Sequence, residues 1–324
     1  MIDLRRAGPI FIHGILPRSG TNFLWDLLLL HPDCGRAREP VNEDLFLEHS
    51  DPLVRFVEDV RASWDPIWGT FGPDLPDRLC ESLGEGLLSF LWTDRERRLV
   101  TKSPSVAHLD RFFAFFPRAR LLILVRDGRS VAQSAMDTFG WNFDRACRAW
   151  AEAAHTIRRF QQVESASAER WRLVRYEDLV DDTERQLRTL FEFLGLDAAR
   201  YDYSAARNLP VRGSSAFGRQ GNNVHWEVVP KNESFAPKER WRSWSVHQLE
   251  RFDWLAGERL VEFGYAASRR RFTMIGSFRH TLRDWRWYAT RATRRVLYRA
   301  RVRLALRSRI AGTLRGLRIR PAAR

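Results

Sequence analysis

The segment Phe11–Leu24 reads FIHGILPRSGTNFL, an apolar run that enters a polar turn and then a helical apolar pattern. The turn offers Arg18, Ser19, Gly20 and Thr21: one guanidinium, two hydroxyls and a glycine free to bend the backbone. At a strand-to-helix junction such a turn gathers unpaired N–H groups around the positive end of the helix. Its chemistry is the binding of a phosphate-like or sulfate-like anion. A second set of donors follows the apolar run LLILV: Arg126, Asp127, Gly128, Arg129, Ser130 and, one helical turn beyond Ser130, Ser134. Arg126 at the strand end and Ser134 on the helix are spaced to grip one anion together, with Asp127 as the helix cap. The first turn lacks the G-x-x-x-x-G-K-[ST] spacing of nucleoside-triphosphate loops and the G-x-G-x-x-G of dinucleotide folds. Two separate anion grips on one sheet point to a ligand with two well-spaced phosphate-type groups.

The elements that must position these groups alternate along the chain. Strands are expected at 9–16, 97–104, 119–127 and 171–176, each short, apolar and ended by a charge or a turn. Helices are expected at 22–31, 52–64, 82–93, 106–117, within 127–140 and at 143–167, and in a segment capped by Asp181 or Asp182 and closed by Gly195. Strand–helix alternation of this kind predicts a three-layer α/β sandwich with a mostly parallel central sheet. Ligands of such sheets sit beyond the strand carboxyl ends. Four polar clusters fall there: Arg18–Thr21, Lys102-Ser103, Arg126–Ser134 and Tyr176-Glu177. Residues 33–80 outside the one helix read as long loops, and 203–237 as a long ordered loop or lid. A Trp-studded helical stretch at 238–264 closes a core domain of residues 1–266, followed by an Arg-rich helical extension at 267–324.

Charge is unevenly placed. The net charge is +14, yet residues 271–324 hold sixteen Arg and one Asp with no Lys or Glu, so the basicity belongs to the tail. Only three Lys occur, at 102, 231 and 238, which singles out Lys102 at a strand end. The three Cys are too widely spaced for a disulfide framework or a C-x-x-C metal knuckle, and the eight His show no ligand spacing. No apolar run reaches the roughly 18 residues of a membrane span, and the first residues lack the order of a secretion signal. A cytoplasmic setting is therefore expected, with the tail free to touch the inner face of a membrane.

PRSGTNFLWDLLLLHP and LILVRDGRSVAQS resemble the two cofactor signatures of sulfotransferases that use 3'-phosphoadenosine 5'-phosphosulfate (PAPS). The intervening KSP and the later RYEDLV fit the same pattern, and the resemblance spans roughly 9–265. It implies the P-loop NTPase-like sulfotransferase fold and transfer of a sulfuryl group to a hydroxyl or amine, with no metal. Arg18 stands where the steroid and phenol enzymes carry Lys, which moves the chain toward tyrosylprotein, carbohydrate and bacterial sulfotransferases. The resemblance assigns Arg18 and the N–H groups of Ser19, Gly20, Thr21 and Asn22 to the 5'-phosphosulfate, and Arg126 with Ser134 to the 3'-phosphate. It gives Lys102 the bridging oxygen, Tyr176 the adenosine side, and Arg212 with Ser214 a closing loop. Glu39 is the expected proton acceptor, with Glu43 in reserve.

The competing function is a P-loop-like kinase or phosphotransferase, for which neither the loop Lys nor a magnesium-binding Asp stands at the right spacing. The acceptor class stays open among small molecules, glycans and lipids. For the tail, contact with an anionic membrane and simple solvation are both expected readings, and nothing in it suggests nucleic-acid recognition.

Overall fold

A computed structural model describes residues 8–69, 72–210, 238–267, 273–291 and 293. Arg212 and Ser214 lie outside the described residues. The chain divides into two compact units, residues 1–268 and 269–324.

In the first unit, β1 (Ile10–Gly14) leads to α1 (Thr21–Leu29), the edge strand β2 (Cys34–Arg36), α2 (Asp51–Trp68) and α3 (Leu75–Leu91). Then come β3 (Arg98–Ser103), the short α4 (Phe112–Phe115), β4 (Arg120–Val125), α5 (Gly128–Phe139) and α6 (Phe143–Val163). β5 (Trp171–Arg175) runs directly into α7 (Tyr176–Asp181), followed by α8 (Thr183–Leu194), α9 (Tyr203–Arg207) and α10 (Val246–Glu262). The five strands form one sheet in the order β2-β3-β1-β4-β5, and every pairing is parallel. This is the expected α/β sandwich, with helices on both faces.

Period-2 alternation feeds the two faces. Phe11, Leu121, Ile123 and Val125 pack into one layer with residues of α4, α5, α6 and α10. Ile10, Ile12, Leu122, Leu124 and Val174 pack into the other with α1 and α8. Thus α1, which follows β1, lies on one face, while α5, which follows the neighbouring β4, lies on the other. Adjacent strands whose helices leave in opposite directions open a crevice at their carboxyl ends.

Three expectations change in detail, the first being the helix expected at 106–117, which is a 3-10 turn at Leu109–Arg111 followed by the four-residue α4. β2, within the region read as loops, pairs with β3 as a three-residue edge. Helix α3 starts well before residue 82, at Leu75, with Pro in its first turn.

Candidate active site

The crevice between β1 and β4 holds the first cluster. Gly20 caps α1 in the left-handed region with φ 100°. A Cβ there would collide with the ring of Tyr176, so only glycine lets the turn close against β5's end. Arg18 also has positive φ, 79°, a conformation that costs a non-glycine residue roughly 1–2 kcal/mol. It turns the side chain across the crevice, where Nε donates to Ser134 Oγ at 3.1 Å. Arg126, buried at the end of β4, donates from Nη1 to the Arg18 carbonyl at 2.6 Å. Its guanidinium lies 4.6 Å from the centre of the Tyr176 ring. The two anion motifs, 116 residues apart, therefore meet in one place, joined by Arg18 itself.

The start of α1 supplies the remaining donors. The Gly20 carbonyl takes the N–H groups of Phe23 and Leu24 as the first intrahelical bonds. The N–H groups of Gly20, Thr21 and Asn22 precede that ladder. The Ser19 N–H differs from expectation: it donates to Leu16 O at 3.2 Å, closing the turn. The Ser19 side chain is fully buried, and its Oγ has no hydrogen-bond partner among the described residues. An orphaned buried hydroxyl beside a helix start fits an anion arriving there.

A strap from 238 onward completes the cluster. Ser130 Oγ donates to the Lys238 carbonyl at 2.6 Å. Trp244 Nε1 donates to Gln133 Oε1 at 2.6 Å, and the Arg129 guanidinium stacks 4.0 Å from the Trp241 ring centre. These bonds hold the helical turn Arg240–Ser243 over α5. Burial pushes the Arg18 guanidinium down to about 10, and the charges of Arg240 and Arg126 push the same way. Burial and then Arg126 likewise lower Arg240. Arg18 and Arg240, each lowered by burial and by the charge of Arg126, line a pocket that an anion would relieve. Arg240 was not found by sequence: it is one Arg among many, in a stretch read only as helical.

Asp127 does cap α5, accepting from Arg129 N–H at 2.9 Å, and its carboxylate pairs with Arg129 Nη2 at 2.7 Å. Glu177 ties the same turn down, accepting from Asp127 N–H at 3.0 Å and from Tyr265 O–H at 2.6 Å. These two acids are structural supports.

The second cluster lies at the ends of β3 and β2. Lys102, in register with Ile12 of β1, turns toward α1, its ammonium 5.5 Å from the Trp25 ring centre. Its side chain is only 3% exposed, and Nζ lies 3.5 Å from Glu43 Oε1. Burial lowers the Lys102 pKa, opposed by Glu43. Asp44 staples this segment to β3. Its N–H donates to Lys102 O at 3.1 Å, and its Oδ2 accepts from Thr101 Oγ1 at 2.8 Å. Burial pushes the Asp44 carboxyl up to about 6.

Glu39 takes a different place from Glu43. It is exposed and bonded to Arg36 at 3.2 Å, and the Arg36 guanidinium lies 5.5 Å from the Trp25 ring centre. The structure thus sets Glu43, not Glu39, on Lys102. Among the described residues, no group of three or more His, Cys, Asp or Glu is placed to hold a metal.

The chain resembles known proteins over most of its first unit. The model of the sulfotransferase family matches residues 9–200. Protein-tyrosine sulfotransferase A of Caenorhabditis elegans is 28% identical over 205 residues, 59% of this chain and 51% of that protein. The protein-tyrosine sulfotransferase of Drosophila melanogaster is 26% identical over 201 residues, 58% of this chain and 38% of that protein. The chain spans about half or less of the length of these curated relatives. The sulfotransferase domain of the olefin synthase of Synechococcus PCC 7002 has 22% identity and a TM-score of 0.46, covering 74% of this chain and 90% of that one.

Proposed function

The chain belongs to the sulfotransferase family, and we propose that it moves a sulfuryl group from PAPS to a hydroxyl or amine of its acceptor by in-line displacement. The observation that carries this is the meeting of the two anion motifs at the start of α1, where Arg18 donates to Ser134 and Arg126 donates to the Arg18 carbonyl. When bound, PAPS supplies an activated sulfuryl group and a phosphate leaving group. Arg18, the buried Ser19 hydroxyl and the N–H groups of Gly20, Thr21 and Asn22 hold the 5' end. Arg126, Ser134 and Arg240 hold the 3'-phosphate, with Tyr176 as the floor under Arg126. Arg212 and Ser214 are proposed to close over the nucleotide.

Catalysis here is positioning and charge neutralisation. Lys102, desolvated and held by Glu43, neutralises the departing phosphate oxygen. Glu39, exposed and bonded to Arg36, takes the acceptor proton. The names of the two animal relatives make a tyrosyl peptide the first acceptor to try, beside sugars and lipid headgroups.

Calorimetric titration tests the donor. 3'-Phosphoadenosine 5'-phosphate is expected to bind at least about 100-fold more tightly than AMP or ATP, about 2.7 kcal/mol. A preference for ATP would overturn the proposal in favour of a phosphotransferase. Glu39→Gln is expected to lower kcat by roughly 10²- to 10⁴-fold with nucleotide affinity intact, and Glu43→Gln to lower it less. The reverse order assigns the proton to Glu43.

A further inference from the structure

In the second unit, residues 274–291 form a helix. Met274, Ile275, Phe278, Leu282, Trp285 and Tyr288 recur along it at one-, three- and four-residue steps, so they share one face. Every one of them is between 50% and 90% exposed. A contiguous face of large apolar side chains held in solvent marks a docking surface. Arg279, Arg283 and Arg286 are exposed along one flank of that face, and Arg291 is exposed on the other side. The helix carries one acidic residue, Asp284, against four Arg.

We infer that this helix lies in the plane of an anionic lipid surface, its Met, Phe, Leu and Trp side chains in the acyl boundary and its arginines on the headgroups. The pattern is that of an interfacial helix: a wide apolar face, aromatic residues with polar edges, and Arg at the margins. Each Arg near an anionic surface adds attraction, and eleven further Arg follow within 292–324. Pairing with a second copy would set these arginine rows beside one another and meet repulsion. A nucleic acid would satisfy the arginines and leave the apolar face wet. No described helix is long and apolar enough to cross a membrane, so the contact is parallel to the surface. The inference is independent of the chemistry proposed for the first unit.

Vesicle flotation of the full chain tests it. The protein is expected to float with vesicles of phosphatidylcholine containing about one-third phosphatidylglycerol, and not with phosphatidylcholine alone, with the bound fraction falling steeply in 0.5 M salt. Phe278→Asp combined with Trp285→Asp is expected to lower the bound fraction at least about tenfold, with the thermal unfolding midpoint unchanged as evidence of an intact first unit. Arg279→Glu, Arg283→Glu and Arg286→Glu together leave the apolar face whole and are expected to abolish the preference for the anionic lipid. Failure to float with the anionic vesicles, or flotation untouched by the Phe278/Trp285 change, overturns the inference. Self-association in sedimentation that the same change abolishes, without vesicle binding, assigns the face to a second copy.

Discussion

Two groups of buried arginine in the first unit are treated in opposite ways. Between α6 and α10, Arg251 meets Asp144, with Nη2 at 2.7 Å from Oδ2 and Nε at 3.4 Å from Oδ1; the two side chains are 1% and 8% exposed. That charge is closed within the protein by a forked, two-point contact. At the ends of β1 and β4, Arg18, Arg126 and Arg240 are set against one another instead, and Arg18 is lowered by both of the others. The first arrangement joins two helices. The second brings three like charges to one crevice, an arrangement suited to a multiply charged anion.

The sharpest way to break the contrast is Asp144→Ala. It leaves Arg251 buried beside a missing partner and is expected to lower the unfolding free energy by about 3–5 kcal/mol in urea titration, with little effect on nucleotide affinity in the protein that remains folded. Next, Arg126→Ala is expected to weaken 3'-phosphoadenosine 5'-phosphate about 100-fold, about 2.7 kcal/mol, while thermal stability stays level or rises as repulsion is relieved. A stability loss matching that of Asp144→Ala would erase the distinction.

A smaller effect concerns Asp44, a buried acid whose folded pKa of about 6 exceeds its unfolded value. The folded protein keeps a proton that the unfolded chain releases, so this group lowers stability as pH rises from about 4 to about 6. His13, lowered to about 4 by burial, acts with the opposite sign: the unfolded chain protonates first, and stability is lost as pH falls from about 6.5 toward 4. The two slopes offset each other. Asp44→Asn removes one of them. Its stability relative to wild type is expected to swing by roughly 2 kcal/mol in favour of Asn between pH 4 and pH 7, read from urea titrations at both values. The mildest change, Arg240→Ala, is expected to weaken the nucleotide about tenfold, about 1.4 kcal/mol.

Much of the first unit could be read from local pattern. β4 is legible because five apolar residues end at an Arg, and α8 because Asp182 caps its start, accepting from Arg185 N–H at 3.1 Å, and Gly195 ends it in the left-handed region. β2 was not, since Cys34-Gly35-Arg36 is too short to show alternation, and its pairing with β3 is a purely tertiary fact. The start of α3 is not legible because Pro73 and Pro76 give residues before 82 the look of a loop; Gly84, inside the legible part, is there for a packing reason, as a Cβ would strike the Phe115 carbonyl. In the site, Arg126 and Ser134 were legible from one strand end and one turn of helix. Arg240 was not, because only the strap bonds of Ser130 and Gln133 bring it there. The choice between Glu39 and Glu43 likewise turns on how Asp44 is stapled to Thr101, which no spacing encodes.

The hydrogen bond from Arg18 to Ser134 has a consequence for selectivity. A phosphate arriving at either end of the crevice competes with that bond for a donor. A ligand with a single phosphate bears the whole cost of separating the two side chains and gains one set of contacts. A ligand carrying both phosphates bears it once and gains two. The affinity for a nucleotide with both phosphates is therefore expected to exceed what its halves foretell, and a mononucleotide abundant in the cell to make a poor competitor without any group in the site having to repel it.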